Sequence, residues 1–315
     1  MKKKLHPALR PWLRDFNARA AYLAAMGFRQ TPTNTREFLA RLTARYVTKI
    51  PEIAEVRDDL APTGAFSVPL RIYHPDPAEE LPVLVFFHGG GHMCGSVTVY
   101  DPICRKLAAA AQHIVVSADY RLAPENPYPA GVDDALGVVR TVTDLLAERR
   151  VRFRNELSIA GDSAGGALCA SVGRLMQFET GRRIKRQVLI YPSLDYTLSL
   201  PSVEENADGY MLQTAKVVWY MDNYFPRGVN RRDVSPLFGE FTDKLPETLV
   251  VTAGFCPLRD EGAAYCRKVQ EVGVKARQLH FDNMIHAYLC MEDLVSDTCA
   301  ETYEAVGAFL NGKEF

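Results

Sequence analysis

Two glycine-framed segments of this chain hold the residue types that acyl transfer requires. The first, Gly161-Asp162-Ser163-Ala164-Gly165, fits the pattern G-x-S-x-G. An apolar run at 157–160 precedes it and a helix-forming run at 164–178 follows it. A serine on such a sharp strand-to-helix turn has its hydroxyl raised above a sheet, and small neighbours let the flanking backbone come close. The helix N-terminus behind Ser163 favours negative charge developing nearby. The plainer reading is a glycine-rich turn without chemistry. The strand before it and the helix after it favour the nucleophile.

The second segment, His88-Gly89-Gly90-Gly91, follows the apolar run 83–87. Glycines there leave backbone N–H groups open and permit unusual dihedrals. Such donors stabilise an oxygen as it becomes negative, by about 3 kcal/mol each. A phosphate loop would need a lysine after its last glycine, and none follows. A dinucleotide fingerprint does not fit 89–95 cleanly. A metal site on His88, His92 and Cys94 lacks a fourth ligand, so neither metal nor cofactor is expected. His92 reads as a pocket wall and His88 as a brace for the loop.

The elements that must carry these loops alternate. Residues 83–87, 114–118, 157–160, 187–191, 249–253 and 277–281 read as strands. Between and after them, 101–112, 131–149, 164–178, 259–272 and 296–310 read as helices. This rhythm predicts an α/β fold with a mostly parallel sheet and helices on both faces. Alternating Val68, Leu70 and Ile72 add an earlier strand. Residues 1–50 look helical, with Leu13, Phe16, Ala20 and Leu23 on one face and a second helix over 35–46. Residues 194–238 break the rhythm and contain an aromatic-rich helix at 214–224. The expected organisation is therefore a core of 51–193 and 239–315, with 1–50 and the insertion 194–238 forming a cap.

The 315 residues carry 37 basic and 38 acidic side chains, which gives no reason to expect nucleic acid or a membrane as partner. The seven cysteines are irregularly spaced and form no CxxC pair, so a reducing cytoplasm is expected. The opening segment is basic, but the apolar run 20–28 is too short to span a membrane.

Five blocks in order carry a family resemblance. They are His88–Gly91; Asp119-Tyr120-Arg121-Leu122-Ala123-Pro124-Glu125 with Pro129-Ala130; Gly161–Gly166; Pro257-Leu258-Arg259-Asp260-Glu261; and Met284-Ile285-His286-Ala287-Tyr288. From about residue 83 to 289 the chain resembles the hormone-sensitive-lipase-like branch of bacterial α/β-hydrolase esterases. The resemblance implies an α/β-hydrolase fold with a helical cap and hydrolysis of short-chain acyl esters without metal or cofactor. It implies Ser163 as nucleophile, His286 as base, and the N–H groups of Gly90, Gly91 and Ala164 as the oxyanion hole. A small-molecule ester is the implied partner. Pairing of two chains through the edge of the last strand is a further expectation, because family members often form homodimers that way.

One position departs. The family carries its catalytic aspartate just before the Pro-Leu-x-Asp run, and here that residue is Cys256. The triad acid holds the histidine in the right tautomer and stabilises the imidazolium. A thiol is a weak acceptor and, when buried, resists ionisation. Asp260, one helical turn on, and Asp282, in the loop before His286, are the available replacement acids. Ala287 also stands where the family often has glycine. Two functions follow: an esterase, weakened at its acid position, or a catalytically weak or silent ligand-binding protein on the same fold. A cysteine-dependent hydrolase built on Cys256 is a poor third, because Ser163 already holds the turn.

Overall fold

The computed structural model describes residues 4–64 and 66–314. The first three residues of the basic opening segment lie outside the described residues. Two helices, α1 (Leu9–Ala25) and α2 (Pro32–Tyr46), lead into β1 (Glu55–Pro62), β2 (Ser67–His74) and β3 (Leu81–Phe87). Then follow α3 (Asp101–Ala111), β4 (Ile114–Ala118), α4 (Ala130–Glu148), β5 (Phe153–Asp162), α5 (Ala164–Met176) and β6 (Ile184–Ile190). The insertion carries α6 (Ser202–Glu205), α7 (Thr214–Tyr224) and α8 (Arg231–Val234). The core resumes with β7 (Glu247–Phe255), α9 (Arg259–Glu271), β8 (Ala276–Ile285) and α10 (Ser296–Leu310).

The eight strands form one sheet in the order β1-β2-β4-β3-β5-β6-β7-β8. The β1–β2 and β2–β4 pairs are antiparallel, and the remaining five pairs are parallel. Val83 through Phe87 are all 0% exposed, as a strand covered on both faces requires. Full burial of each such side chain stabilises the fold by about 1.5–3 kcal/mol. One apolar cluster joins α3, α10 and the cap segments to one sheet face, and a second joins α4, α5 and α9 to the other.

Three strands differ from the sequence reading. β1 was not foreseen, because Glu55, Arg57, Asp58 and Asp59 make it polar; it is an edge strand paired only with β2. β5 begins at Phe153 and not at 157, since its first half, like an edge, is partly exposed. β8 runs on to Ile285, well past 281, and so delivers His286 directly from its end.

Topology decides where the site lies. After β3 the chain steps outward to β4, then returns to place β5 on the other side of β3. Ligand crevices of open α/β sheets form at such a switch, outside the carboxyl ends of the strands. Phe87 pairs in register with Gly161, so the loop at 88–91 and Ser163 emerge side by side. Among the described residues, no helix is long and apolar enough to cross a membrane.

Candidate active site

Ser163 sits between β5 and α5 with φ 53° and ψ −117°. This is a left-handed backbone that a residue with a Cβ adopts only when its surroundings enforce it. The Ser163 N–H donates to the Ile190 carbonyl at 2.8 Å, and the Ser193 N–H donates to the Ser163 carbonyl at 3.2 Å. A Cβ added to Gly165 would lie 1.9 Å from the Phe87 carbonyl oxygen. Glycine is therefore required there for α5 to start against the end of β3.

The neighbouring loop is held from below. The Asp162 carboxylate accepts the Gly89 N–H at 2.7 Å and the Tyr100 hydroxyl at 3.1 Å. Burial pushes Asp162 up to about 7, against the pull of those donors. His88 stacks on Tyr120 at 4.5 Å, and the Tyr120 hydroxyl donates to the His88 carbonyl at 2.7 Å. Gly90 and Gly91 both take positive φ, 117° and 64°. Gly90, Gly91 and Ala164 line the same pocket as Ser163 and His286. His92 is a wall of that pocket, its ring stacked on Tyr224 at 3.9 Å.

His286 arrives from the far side of the sheet. Phe255 pairs with Ile285, so the residues that follow each strand face one another. A bulge precedes this pair, and Gly254 permits it: a Cβ there would meet the Asp282 carbonyl oxygen at 2.1 Å. His286 Nε2 lies 2.9 Å from Ser163 Oγ, and His286 Nδ1 lies 3.2 Å from Cys256 Sγ. The Tyr191 ring meets the imidazole edge-on at 4.9 Å. Burial pushes His286 down to about 3, and no carboxylate among the described residues opposes the shift. Burial also raises the Cys256 thiol, which stays protonated at neutral pH.

The replacement acids are engaged elsewhere. Asp260 accepts the Ser202 N–H at 2.9 Å and Arg259 Nε at 2.7 Å, because the first turn of α9 points its side chain at the start of α6. Asp282 lies 3.0 Å from His280 Nε2, with its side chain 76% exposed. The next residue of that turn, Glu261, is buried and accepts the N–H groups of Leu194 and Asp195, where the insertion leaves the core.

Both cap segments of the sequence reading reach the pocket. Thr35, Phe38, Leu39 and Leu42 come from α2, while Lys216, Val217, Tyr220, Met221 and Tyr224 come from α7. Arg36 ties α2 to the loops below, donating to the Met93 carbonyl at 2.8 Å and the Ala123 carbonyl at 2.9 Å. The pocket is small, about 100 Å3, and mostly apolar in its lining. Asp162, Glu261 and Lys216 were assigned no role from sequence. The only signal for Asp162 was its place inside the serine motif. Nothing in the local sequence marked Lys216. Among the described residues, no group of three or more His, Cys, Asp or Glu side chains could hold a metal ion.

The arrangement offers a hydroxyl, a neutral imidazole in hydrogen-bond reach and a set of backbone donors. Comparison with known proteins agrees with that chemistry. Residues 84–290 match the family model described as the alpha/beta hydrolase fold. Carboxylesterase NlhH of Mycobacterium tuberculosis is 36% identical over 248 residues, covering 76% of this chain and 77% of that protein. The ester-hydrolase EH1AB1 from the metagenome of Lake Arreo superposes with a TM-score of 0.89 at 32% identity, over 98% of each chain. The gibberellin receptor GID1A of Arabidopsis thaliana is 28% identical, over 78% of this chain and 72% of that protein. With this fold, these relatives and a serine and histidine in contact beneath a cap, the chain belongs to the hormone-sensitive-lipase-like carboxylesterases of the α/β-hydrolase family.

Proposed function

We propose that this carboxylesterase cleaves short acyl esters through Ser163, with His286 as base and Cys256 as a weak substitute for the triad acid. The observation that carries the reading is the unbroken contact from Ser163 Oγ to His286 Nε2 and from His286 Nδ1 to Cys256 Sγ. His286 Nε2 takes the hydroxyl proton as Ser163 Oγ bonds to the ester carbonyl carbon. The carbonyl oxygen turns negative against the N–H groups of Gly90, Gly91 and Ala164. Collapse of this intermediate breaks the bond to the alcohol oxygen, which leaves with the proton from His286. Water then attacks the acyl-serine and gives its proton to His286; collapse breaks the bond to Ser163 Oγ, which takes that proton back as the carboxylic acid departs.

Cys256 limits the rate in two ways. An aspartate would accept from Nδ1–H and leave Nε2 free to take the serine proton. A protonated thiol can instead donate to Nδ1, which puts the ring proton on Nε2 and disables the base. When the imidazolium does form, it stands in a buried site with no counter-charge. The small apolar pocket supports a short acyl chain.

A serine-directed alkyl phosphonate tests the reading. Mass spectrometry should find its adduct on Ser163, formed far more slowly in His286→Ala. No adduct on Ser163 under conditions that label a related esterase would refute it. That failure would favour the second reading, a catalytically silent binding protein, which Cys256 and the likeness to a hormone receptor support. Seven free, buried cysteines support a reducing cytoplasm as the setting. The open edge of β8 supports the pairing of two chains.

A further inference from the structure

Lys216 is the cation on the wall of this pocket. Its Nζ lies 5.2 Å from the Phe38 ring centre and 5.8 Å from that of Tyr220, and both rings line the same space. Among the described residues, no carboxylate forms an ion pair with it. Burial lowers its pKa, and the nearby Cys94 thiol opposes the shift only as a thiolate, which burial disfavours. The side chain is half-buried, and its charge rests beside two rings in place of a counter-ion, which leaves the ammonium able to meet an anionic group that enters the pocket.

Its distance from the chemistry is set by α7. A Cβ on Gly91 would lie 2.5 Å from the Tyr220 ring, so Tyr220 rests on the oxyanion loop. Lys216 is four residues earlier on the same helix. Side chains at that spacing are neighbours on one face, about 5–6 Å apart at Cβ. The ammonium therefore stands beside the ring that rests on the oxyanion loop, in the same pocket as Ser163 and Gly91.

We propose that Lys216 selects esters that carry a carboxylate a few bonds from the scissile carbonyl. The proposal rests on the ester-hydrolase reading and refines its substrate class. A single ammonium in a mostly apolar cavity matches the single charge of a carboxylate. A phosphate group would bring a second charge with nothing to meet it. The carboxylate would take the ammonium from its ring contacts and supply the missing ion pair.

The test compares matched pairs. On the acyl side, monoethyl glutarate is set against ethyl pentanoate; on the alcohol side, 4-acetoxybutyrate is set against butyl acetate. For at least one pair, the ratio of kcat/KM for the charged over the neutral ester should fall at least ten-fold in Lys216→Met. The fall should lie mostly in KM, and Lys216→Arg should recover part of it. Binding of the same four esters to Ser163→Ala and to Ser163→Ala/Lys216→Met, by calorimetry, gives a readout independent of turnover. Tighter binding of a charged ester that is lost with the lysine supports the proposal even if no ester is hydrolysed, in which case the catalytic reading alone has failed. Equal charged-to-neutral ratios in both lysine backgrounds, in turnover and in binding, would overturn it and leave Lys216 with its ring contacts only.

Discussion

The Cys256 sulfur lies 3.2 Å from His286 Nδ1, in the place where a triad histidine ordinarily meets a carboxylate. The contact follows from the pairing of Phe255 with Ile285, which aligns the ends of β7 and β8. The geometry of a triad is therefore present while its negative charge is missing. Several consequences can be measured.

Replacement of Ser163 by alanine should remove ester hydrolysis and leave the fold intact. The hydroxyl faces the pocket, and among the described residues its one side-chain hydrogen-bond partner is His286. Initial rates on a butyrate ester and a thermal melt are the measurements. Activity should drop to the background rate, with Tm shifted by no more than a few degrees. Turnover that survives in the variant would remove Ser163 from the mechanism.

The pH profile should be unusual on its acid side. His286 acts as a base only when neutral, and burial pushes its pKa from the ordinary 6.5 down to about 3. Lowering that pKa extends the active form to lower pH, so the histidine limb of kcat/KM should lie well below 6.5. An aspartate at position 256 would favour the imidazolium and move the limb upward. Burial pushes Asp162, at the end of β5, up to about 7, but it is common to both proteins. The difference between the two profiles therefore reports His286. A limb at the same pH in parent and Cys256→Asp would count against the assignment.

Gly165→Ala should destabilise the protein by about 2 kcal/mol or more. The added methyl would meet the Phe87 carbonyl at 1.9 Å, and backbone cannot step aside as a flexible side chain can. The forced shift also separates α5 from the loop at 88–91, so activity should fall with stability. Chemical denaturation and an ester assay read the two effects. A variant as stable as the parent would show that the approach of α5 to β3 is looser than described.

Acyl length should be limited by the cap. The pocket is small, and Tyr220, Met221 and Leu42 of the cap line it. One methylene in an apolar pocket is worth only about 1–3 kcal/mol, so the decline should be gradual. A series of esters from acetate to decanoate should peak among the short acyl chains and decline toward decanoate. Rates that rise steadily through the longest, emulsified members would contradict the assignment.

Much of the site could be read from local pattern, and the exceptions have physical causes. Residues 83–87 are continuously apolar because both faces of β3 are covered, so strand and glycine loop were plain. The turn at Ser163 was equally plain, since its glycines frame the serine in sequence, although Gly165 is demanded by the distant Phe87 carbonyl. β1 was not, because an edge strand needs polar side chains and so loses the apolar signal. The meeting of Cys256 and His286 depends on a bulge at Gly254 and on the true length of β8, neither of which the residues themselves announce. That Asp260 serves the start of α6 is a contact across 58 residues. Lys216 joins the pocket only because α7 folds back over Gly91, which no local pattern records.

The account stands most directly on the kcat of Cys256→Asp with a simple ester. Leu258 N–H already reaches the sulfur at 3.3 Å and would donate equally to a carboxylate at that place. The new aspartate would hold His286 Nδ1–H and leave Nε2 free for Ser163. Loss of the triad acid in a serine protease lowers kcat by about 10⁴, which bounds the gain from restoring it. The predicted result is a rise of kcat by at least ten-fold, with Asp260→Asn changing the parent's rate little. A fall in kcat for Cys256→Asp, in the parent and in Asp260→Asn alike, would contradict the placement of Cys256 at the acid position.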